Sequence, residues 1–433
     1  MTDVARALPG MSRGSMAVAA FSTIVEWYDF TLYLYFVTVL SRVFFGTGVD
    51  SLITTLAGFA VAYLMRPLGA LFFGHFGDRY GRRRMMLLSV GVMTGAMLLT
   101  AILPTHTQVG AVAGWLLLLL RCVMSFSVGG EYTGVVAYLM EGAATGRRGL
   151  ITSLASAASE IGALLAVGVS ALTVHLLAPA DLESWGWRIP FLVGAALAAS
   201  VWIARSTMQE SPEFERQQAA GTVPQNPLRY TLVNHRVGIA RAFAISALGS
   251  ITYYVGITYV PTFITSVGAL DEGASLWLAT LAAVVVIVVT PFIGALSDRL
   301  GRRPVLILLS GLSAILPVTM FSLMASGSPF RALVGAVVLA GVAAGVSAVG
   351  AVATAEQFPG EGRLSGLAFG ATAATAVFGG LTPFVAQVLM DRTGWTMIPG
   401  LMIAVVALGV LPVLLTMPET RPGKTRTPSA GSR

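Results

Sequence analysis

Charge is what this sequence has least of. Asp, Glu, Lys and Arg make up 11% of its 433 residues, where soluble domains carry about 25%. Hydrophobic residues make up 55%, with a mean hydropathy of +0.79, a balance that excludes a soluble globular chain. Roughly 238 apolar residues would furnish about twelve bilayer-crossing helices of ~20 residues each. The single cysteine, Cys122, excludes an intrachain disulfide. His75, His106, His175 and His235 are too dispersed to hold a metal, so neither metal nor other cofactor is expected. No nucleophile–base pair falls at membrane depth, which argues against an intramembrane enzyme. The ~10-residue alternation of a transmembrane β-barrel is missing as well.

What is present is a series of long apolar runs. Hydropathy and turn signals place spans at 15–41, 52–76, 84–104, 111–140, 149–177, 187–205, 237–266, 274–296, 304–325, 330–355, 364–390 and 396–417. An even count puts both termini on one side of the membrane. Of 27 Lys and Arg, Arg42, Arg188, Arg331 and Arg392 fall on the opposite side and Arg66, Arg121 and Arg241 inside spans, leaving 20 on the terminus side. By the positive-inside rule the termini are cytoplasmic, and the net charge of +7 is an orientation signal rather than a nucleic-acid footprint. The expected setting is the plasma (inner) membrane, with the chain a monomer whose macromolecular surroundings are the lipid bilayer. The first run is ~27 residues long and contains Glu26 and Asp29, so it reads as a retained helix rather than a cleaved signal.

One long polar stretch, 206–236, separates spans six and seven. It divides the chain into an N-terminal six-helix half (1–205), a central cytoplasmic loop (206–236), a C-terminal half (237–417) and a tail (418–433). The halves repeat. GHFGDRYGRRR at 74–84 follows span 2 and GALSDRLGRRP at 294–304 follows span 8, so Asp78 matches Asp298 and Arg83 matches Arg303, 220 residues on. A fainter echo links Glu141, Arg147, Arg148 and Gly149 to Glu356, Arg363 and Gly366. Two such halves around a midplane site are the plan of rocking transporters.

The doubled Gly, Asp-Arg, Gly-Arg-Arg loop resembles the signature of the major facilitator superfamily. VEWYDFTLY (25–33), RPLGALFFGHFGDRYGRRR (66–84), FSVGGEYTGVVAYLMEGA (126–143), WGWRIPF (185–191), ESPEF (210–214) and FGGLTP (378–383) resemble its metabolite:H+ symporter family, over residues 15–420. The resemblance implies an all-α, twelve-helix fold and proton-coupled uptake of a small polar metabolite such as proline, betaine, citrate, 2-oxoglutarate or shikimate. TYYVGITYVPTF (252–263) and GLTP (380–383) are more similar to the proline/betaine and citrate branches than to the 2-oxoglutarate branch. Where the family has Arg-Leu-Leu-Gln-Gly on span 4, this chain has Arg121-Cys122-Val123-Met124-Ser125. The short Pro/Ser/Arg tail shows no coiled-coil heptads, against osmotic gating.

Charges inside spans are costly, ~2.5–3.5 kcal/mol at a helix centre on insertion scales, so they pair or line a wet cavity. Glu26 and Asp29 lie three residues apart on one face of span 1, with Tyr33 a turn further along. Two carboxylates so close suit a group that takes up and releases a proton. Arg66 beside Pro67 (span 2), Arg121 and Glu131 (span 4) and Glu160 (span 5) complete the set. With no histidine at membrane depth, the proton-coupling candidates are Asp29, Glu26, Glu131 and Glu160. Arg121, Arg66, Tyr33, Tyr253 and Tyr254 are the candidates for holding the solute. Asp29–Arg121 and Glu26–Arg66 can equally be fixed ion pairs, and Glu131 can be a structural pair with a neighbouring helix. For gating, the candidates are Gly77, Asp78, Arg79, Gly81, Arg82 and Arg83 with Asp298, Arg299, Gly301, Arg302 and Arg303, their Asp–Arg contacts breaking as that side opens. The same loops can also act purely as topology determinants. The function expected is proton-coupled symport of a carboxylate-bearing solute; the alternative is an exporter or antiporter of the same fold.

Overall fold

The structure, a computed structural model, describes residues 11–46, 55, 58, 61–270 and 272–421. Arg6, Lys424, Arg426, Arg433, the tail from 422 and most of the first part of span 2 lie outside the described residues. Among those described there is helix and no strand. Among the described residues nine helices are long and apolar enough to cross a membrane, and a bent pair, Arg236–Thr258 with Val260–Ser266 at 46°, makes a tenth. The first two spans complete twelve. Span 1 runs Arg13–Tyr35 and continues past Phe36 as Val37–Phe45, and span 2 includes Met65–Tyr80. The others are span 3 (Arg82–Ala101), span 4 (Val112–Gly142), span 5 (Thr145–Leu176) and span 6 (Arg188–Ser206). In the second half, span 7 is the bent pair, followed by span 8 (Glu272–Leu300), span 9 (Arg302–Met324), span 10 (Pro329–Ala355), span 11 (Arg363–Thr393) and span 12 (Ile398–Thr416).

Spans 3 and 9 start two residues earlier than hydropathy places them, for one reason. Gly81 and Gly301 take φ of +109° and +111°, a region that L side chains rarely enter, and so turn the chain sharply into the next helix. Arg82 and Arg302 therefore sit in a first helical turn and are completely buried, not spread in a loop at the headgroups.

The polar stretch between the halves is also more ordered than a loop. It forms Pro212–Ala220 and Pro227–Asn234, each begun by a capping side chain, Ser211 or Asn226, before a proline at the first position. Two tryptophans of the WGWRIPF motif take opposite positions. Trp185 is exposed, but Trp187 is wholly buried, its ring 4.9 Å from that of Phe44 and 6.2 Å from that of Phe191.

The halves meet most closely where spans 5 and 8 cross. A Cβ on Gly149 would stand 2.5 Å from the carbonyl oxygen of Gly294, and one on Gly294 2.6 Å from that of Gly149. Only glycine at both positions lets the two backbones touch. Large apolar side chains such as Trp115, Phe292, Ile315 and Phe330 point outward, as a lipid-facing surface requires.

Candidate solute site and gates

A central cavity of about 200 Å³ lies between the halves. The first half contributes Glu26, Trp27, Tyr63, Arg66, Tyr132 and Glu160 to its wall; the second contributes hydroxyls and rings, among them Ser250, Tyr253, Tyr254, Ser347 and Thr375. Among the described residues, all the charge in this wall comes from the first half. Arg66 Nη1 stands 3.7 Å from Glu26 Oε1, an ion pair too long to be a hydrogen bond. The guanidinium is held as much by the rings of Tyr63 and Phe30, at 4.9 and 5.0 Å. Glu26 Oε2 and Arg66 Nε have no protein partner, so both groups keep bonding capacity in reserve. On span 7, the Tyr253 hydroxyl donates to Glu160 Oε1 at 2.6 Å and the Tyr254 hydroxyl lies 3.0 Å from that of Tyr63.

Asp29, Arg121 and Tyr33 lie one layer behind. Arg121 Nη1 donates to Asp29 Oδ2 at 2.8 Å, and its guanidinium lies 5.4 Å from the Tyr33 ring and 5.8 Å from that of Phe191. These three side chains line a separate void of about 20 Å³, whose wall also includes Glu26 and Arg66. The two arginines expected to share a solute carboxylate are thus divided: Arg66 faces the cavity, while Arg121 faces the small void. The four charges nevertheless form one continuous cluster, because Glu26 and Arg66 belong to both walls.

Glu131 is elsewhere. It is ion-paired to Arg205 of span 6 and receives the Ser89 hydroxyl at 2.8 Å, while Arg205 also donates to Met86 O at 2.8 Å and to the Ser22 hydroxyl. Arg205 closes the apolar run 187–205, where a basic residue would be expected at the membrane surface, yet it is completely buried. The available signal was indirect: a carboxylate buried on span 4 needs a cation, and Arg205 sits at the inner end of an otherwise apolar helix.

The repeated loops form reciprocal latches on the terminus side. Asp78 accepts from the backbone N–H groups of Leu364 (3.2 Å) and Ser365 (2.8 Å), at the start of span 11; Asp298 accepts from Gly149 (2.8 Å) and Leu150 (2.9 Å), at the start of span 5. Each aspartate therefore grips a helix N-terminus of the other half, where free N–H groups and the helix dipole favour an anion. The Asp–Arg contacts expected here exist, but within one half: Arg82–Asp78 at 3.4 Å and Arg302–Asp298 at 2.9 Å. Arg82 also pairs with Glu141 at 3.1 Å and Arg302 with Glu356 at 3.2 Å. Gly77 packs under Leu364, and a Cβ there would stand 2.3 Å from Leu364 Cδ1. Arg79 donates to Gln225 O at 2.5 Å, Arg83 to Ser206 O and Arg303 to Leu415 O, whereas Arg299 is exposed.

Two carboxylates were missed. Glu210 accepts from the backbone N–H groups of Arg82 (2.9 Å) and Arg83 (3.2 Å), and Glu419 from those of Arg302 (2.8 Å) and Arg303 (3.1 Å). They follow the last span of each half and cap its third. Burial pushes the Glu210 carboxyl above the ordinary carboxylate range, against the pull of those N–H donors. The latches tie the two halves together on the terminus side. The Tyr63 and Tyr254 hydroxyls join the halves as well, within the cavity wall itself.

Twelve helices in two repeats, a charged central cavity and reciprocal latches on one side define a secondary active transporter. The profile of the Sugar (and other) transporter family matches residues 15–222, and that of the Major Facilitator Superfamily matches residues 269–432. The chain belongs to the major facilitator superfamily and, within it, to the metabolite:H+ symporter family. It is 33% identical to the alpha-ketoglutarate permease of Escherichia coli (strain K12), over 85% of each chain. It is 30% identical to the proline/betaine transporter of the same strain, over 99% of this chain and 88% of the other. It is also 31% identical to the citrate-proton symporter of Klebsiella pneumoniae, over 90% and 88%. Overall identity does not separate these branches as the motifs at 252–263 and 380–383 suggest. Among solved structures, the proton:xylose symporter XylE bound to 6-bromo-6-deoxy-D-glucose superposes with a TM-score of 0.77 at 20% identity, covering 94% of this chain and 96% of the other.

Proposed function

We propose that this chain is a proton-coupled symporter that takes up a small carboxylate-bearing metabolite, either a zwitterionic osmolyte or a di- or tricarboxylate. The observation that carries this reading is the long, under-bonded Glu26–Arg66 pair in the cavity wall, backed by Asp29–Arg121. A solute carboxylate that engages Arg66 withdraws the counter-charge of Glu26. A lone carboxylate at that depth costs several kcal/mol, so Glu26, or Asp29 through the shared cluster, takes up a proton. Solute and proton then favour each other's binding, as thermodynamic linkage demands. With the cluster neutralised, the halves rock, the terminus-side latches release, and loss of the proton restores the pair and expels the solute.

Glu131 takes no part in this scheme, since its two oxygens are engaged by Arg205 and Ser89 and it lies outside the cavity wall. The excess of arginine on the terminus side supports cytoplasmic termini in an inner membrane. One chain completes the cavity and both latches, which supports a monomer as the working unit. The similarity to transporters of proline/betaine, citrate and alpha-ketoglutarate supports the solute class.

The test is internal pH in sealed proteoliposomes when proline, betaine, citrate or 2-oxoglutarate is added outside. Acidification with one of them is the expected result. Silence from all four, with counterflow still measurable, would remove the proton from the mechanism.

A further inference from the structure

Glu160 is not used by the coupling scheme, and it differs from the other acidic side chains at its depth. Among the described residues, the other carboxylates buried within spans are ion-paired to arginine; Glu160, 4% exposed, receives only the Tyr253 hydroxyl. Its second oxygen makes no hydrogen bond and opens on the cavity. The Tyr253 ring that serves Glu160 stands edge-on to Trp27, centroids 5.4 Å apart, and both rings line the same wall. A carboxylate flanked by aromatic rings is the chemistry that holds an ammonium group.

Charge in the wall points the same way. Arg66 supplies one positive charge and Glu26 and Glu160 two negative ones, and among the described residues the second half adds none. A di- or tricarboxylate would meet a single arginine, already partnered, between two acidic groups. A zwitterion finds both its ends matched.

We propose that Glu160, with Trp27 and Tyr253, is the subsite for a solute's ammonium group, so that the cavity selects a zwitterion with its carboxylate on Arg66 over a polyanion. This rests on the reading of Arg66 as the solute's carboxylate ligand. Glu160 thereby becomes a specificity residue rather than a proton carrier.

The test uses the purified full chain and two zwitterions, each with its uncharged-carbon analogue: glycine betaine with 3,3-dimethylbutyrate, and L-proline with cyclopentanecarboxylate. Citrate is measured beside them. Binding is read by tryptophan fluorescence and transport by counterflow, with internal pH followed in the same vesicles. At least one zwitterion should bind about 10-fold or more tightly than its analogue, and tighter than citrate. Glu160→Gln should bring zwitterion and analogue within about 2-fold of one another, and Tyr253→Phe should narrow the gap less. Because the wild-type comparison needs no variant, poor folding of Glu160→Gln would leave the test intact. Equal binding of zwitterion and analogue, tighter binding of citrate, no binding of either zwitterion, or an unchanged preference in Glu160→Gln would each overturn the proposal. Acidification driven by citrate would overturn it while sparing symport. A zwitterion preference that Glu160→Gln abolishes, without acidification by any solute, would sustain it and overturn symport.

Discussion

The same position in the two halves is filled by opposite chemistry. In the first half Ser89, Glu131 and Arg205 form a buried polar knot. Carried across the repeat by the offsets of their own helices (82 to 302, 141 to 356, 210 to 419), they become Leu309, Val346 and Leu414. Those three lie together in one apolar cluster of the second half. By the same offsets Arg66 becomes Val286 and Arg121 becomes Ala336. The repeat is kept at the latches and lost at membrane depth. Rocking needs matching contacts on both halves, whereas a solute and a proton need one charged site. The comparison also sorts the charges, because an apolar cluster can do the packing work of Glu131–Arg205.

The largest effect should fall on the cluster that has no counterpart. Asp29→Asn should reduce pH-driven accumulation in proteoliposomes to background while counterflow persists; a variant that still concentrates solute would remove Asp29 from coupling. Next comes the polar knot. Glu131→Ala strands Arg205 and should cost about 3–5 kcal/mol in unfolding free energy. The triple change Ser89→Leu, Glu131→Val, Arg205→Leu, which writes the second half's solution into the first, should recover most of that loss with transport retained. A triple variant without transport would return Glu131 to the mechanism.

The latches test how far the halves differ where the repeat is kept. Glu141 bridges to Arg363 of the other half at 2.5 Å, and Arg82 Nη2 donates across to Gly360 O at 2.8 Å. The equivalent pair, Arg148 and Glu356, makes no ion pair; Glu356 instead receives the Thr420 hydroxyl at 2.6 Å. Arg363→Ala should therefore weaken the closed terminus side by about 1.5–3 kcal/mol, seen as longer spin-label distances between the halves. Arg148→Ala should shift it by under about 0.5 kcal/mol. Equal effects would mean that both latches carry equal load.

Much of this was legible in the sequence. Twelve apolar runs, the 220-residue repeat and the pairs available to Glu26 and Asp29 all follow from which residues lie at membrane depth. The azimuth of each helix was not legible. Hydropathy places Arg66 and Arg121 in the membrane alike, but only the packing of spans 1, 2 and 4 turns one toward the cavity and the other behind it. Helix ends were read poorly for a related reason. An arginine at the end of an apolar run looks the same whether it is exposed, as Arg299 is, or enclosed, as Arg82, Arg205 and Arg302 are. Glu210 and Glu419 were missed because their partners are backbone N–H groups, which carry no sequence signature.

Those two carboxylates turn each half into a belt fastened through its own buckle. The strand of chain leaving the sixth helix is tied back to the start of the third, and the tie in the other half has the same form. A bundle fastened in this way resists splaying and transmits torque as a solid lever. The stretch between Gly221 and Asn226 then serves as a strap between two levers, and a cut in that strap would leave both buckles closed.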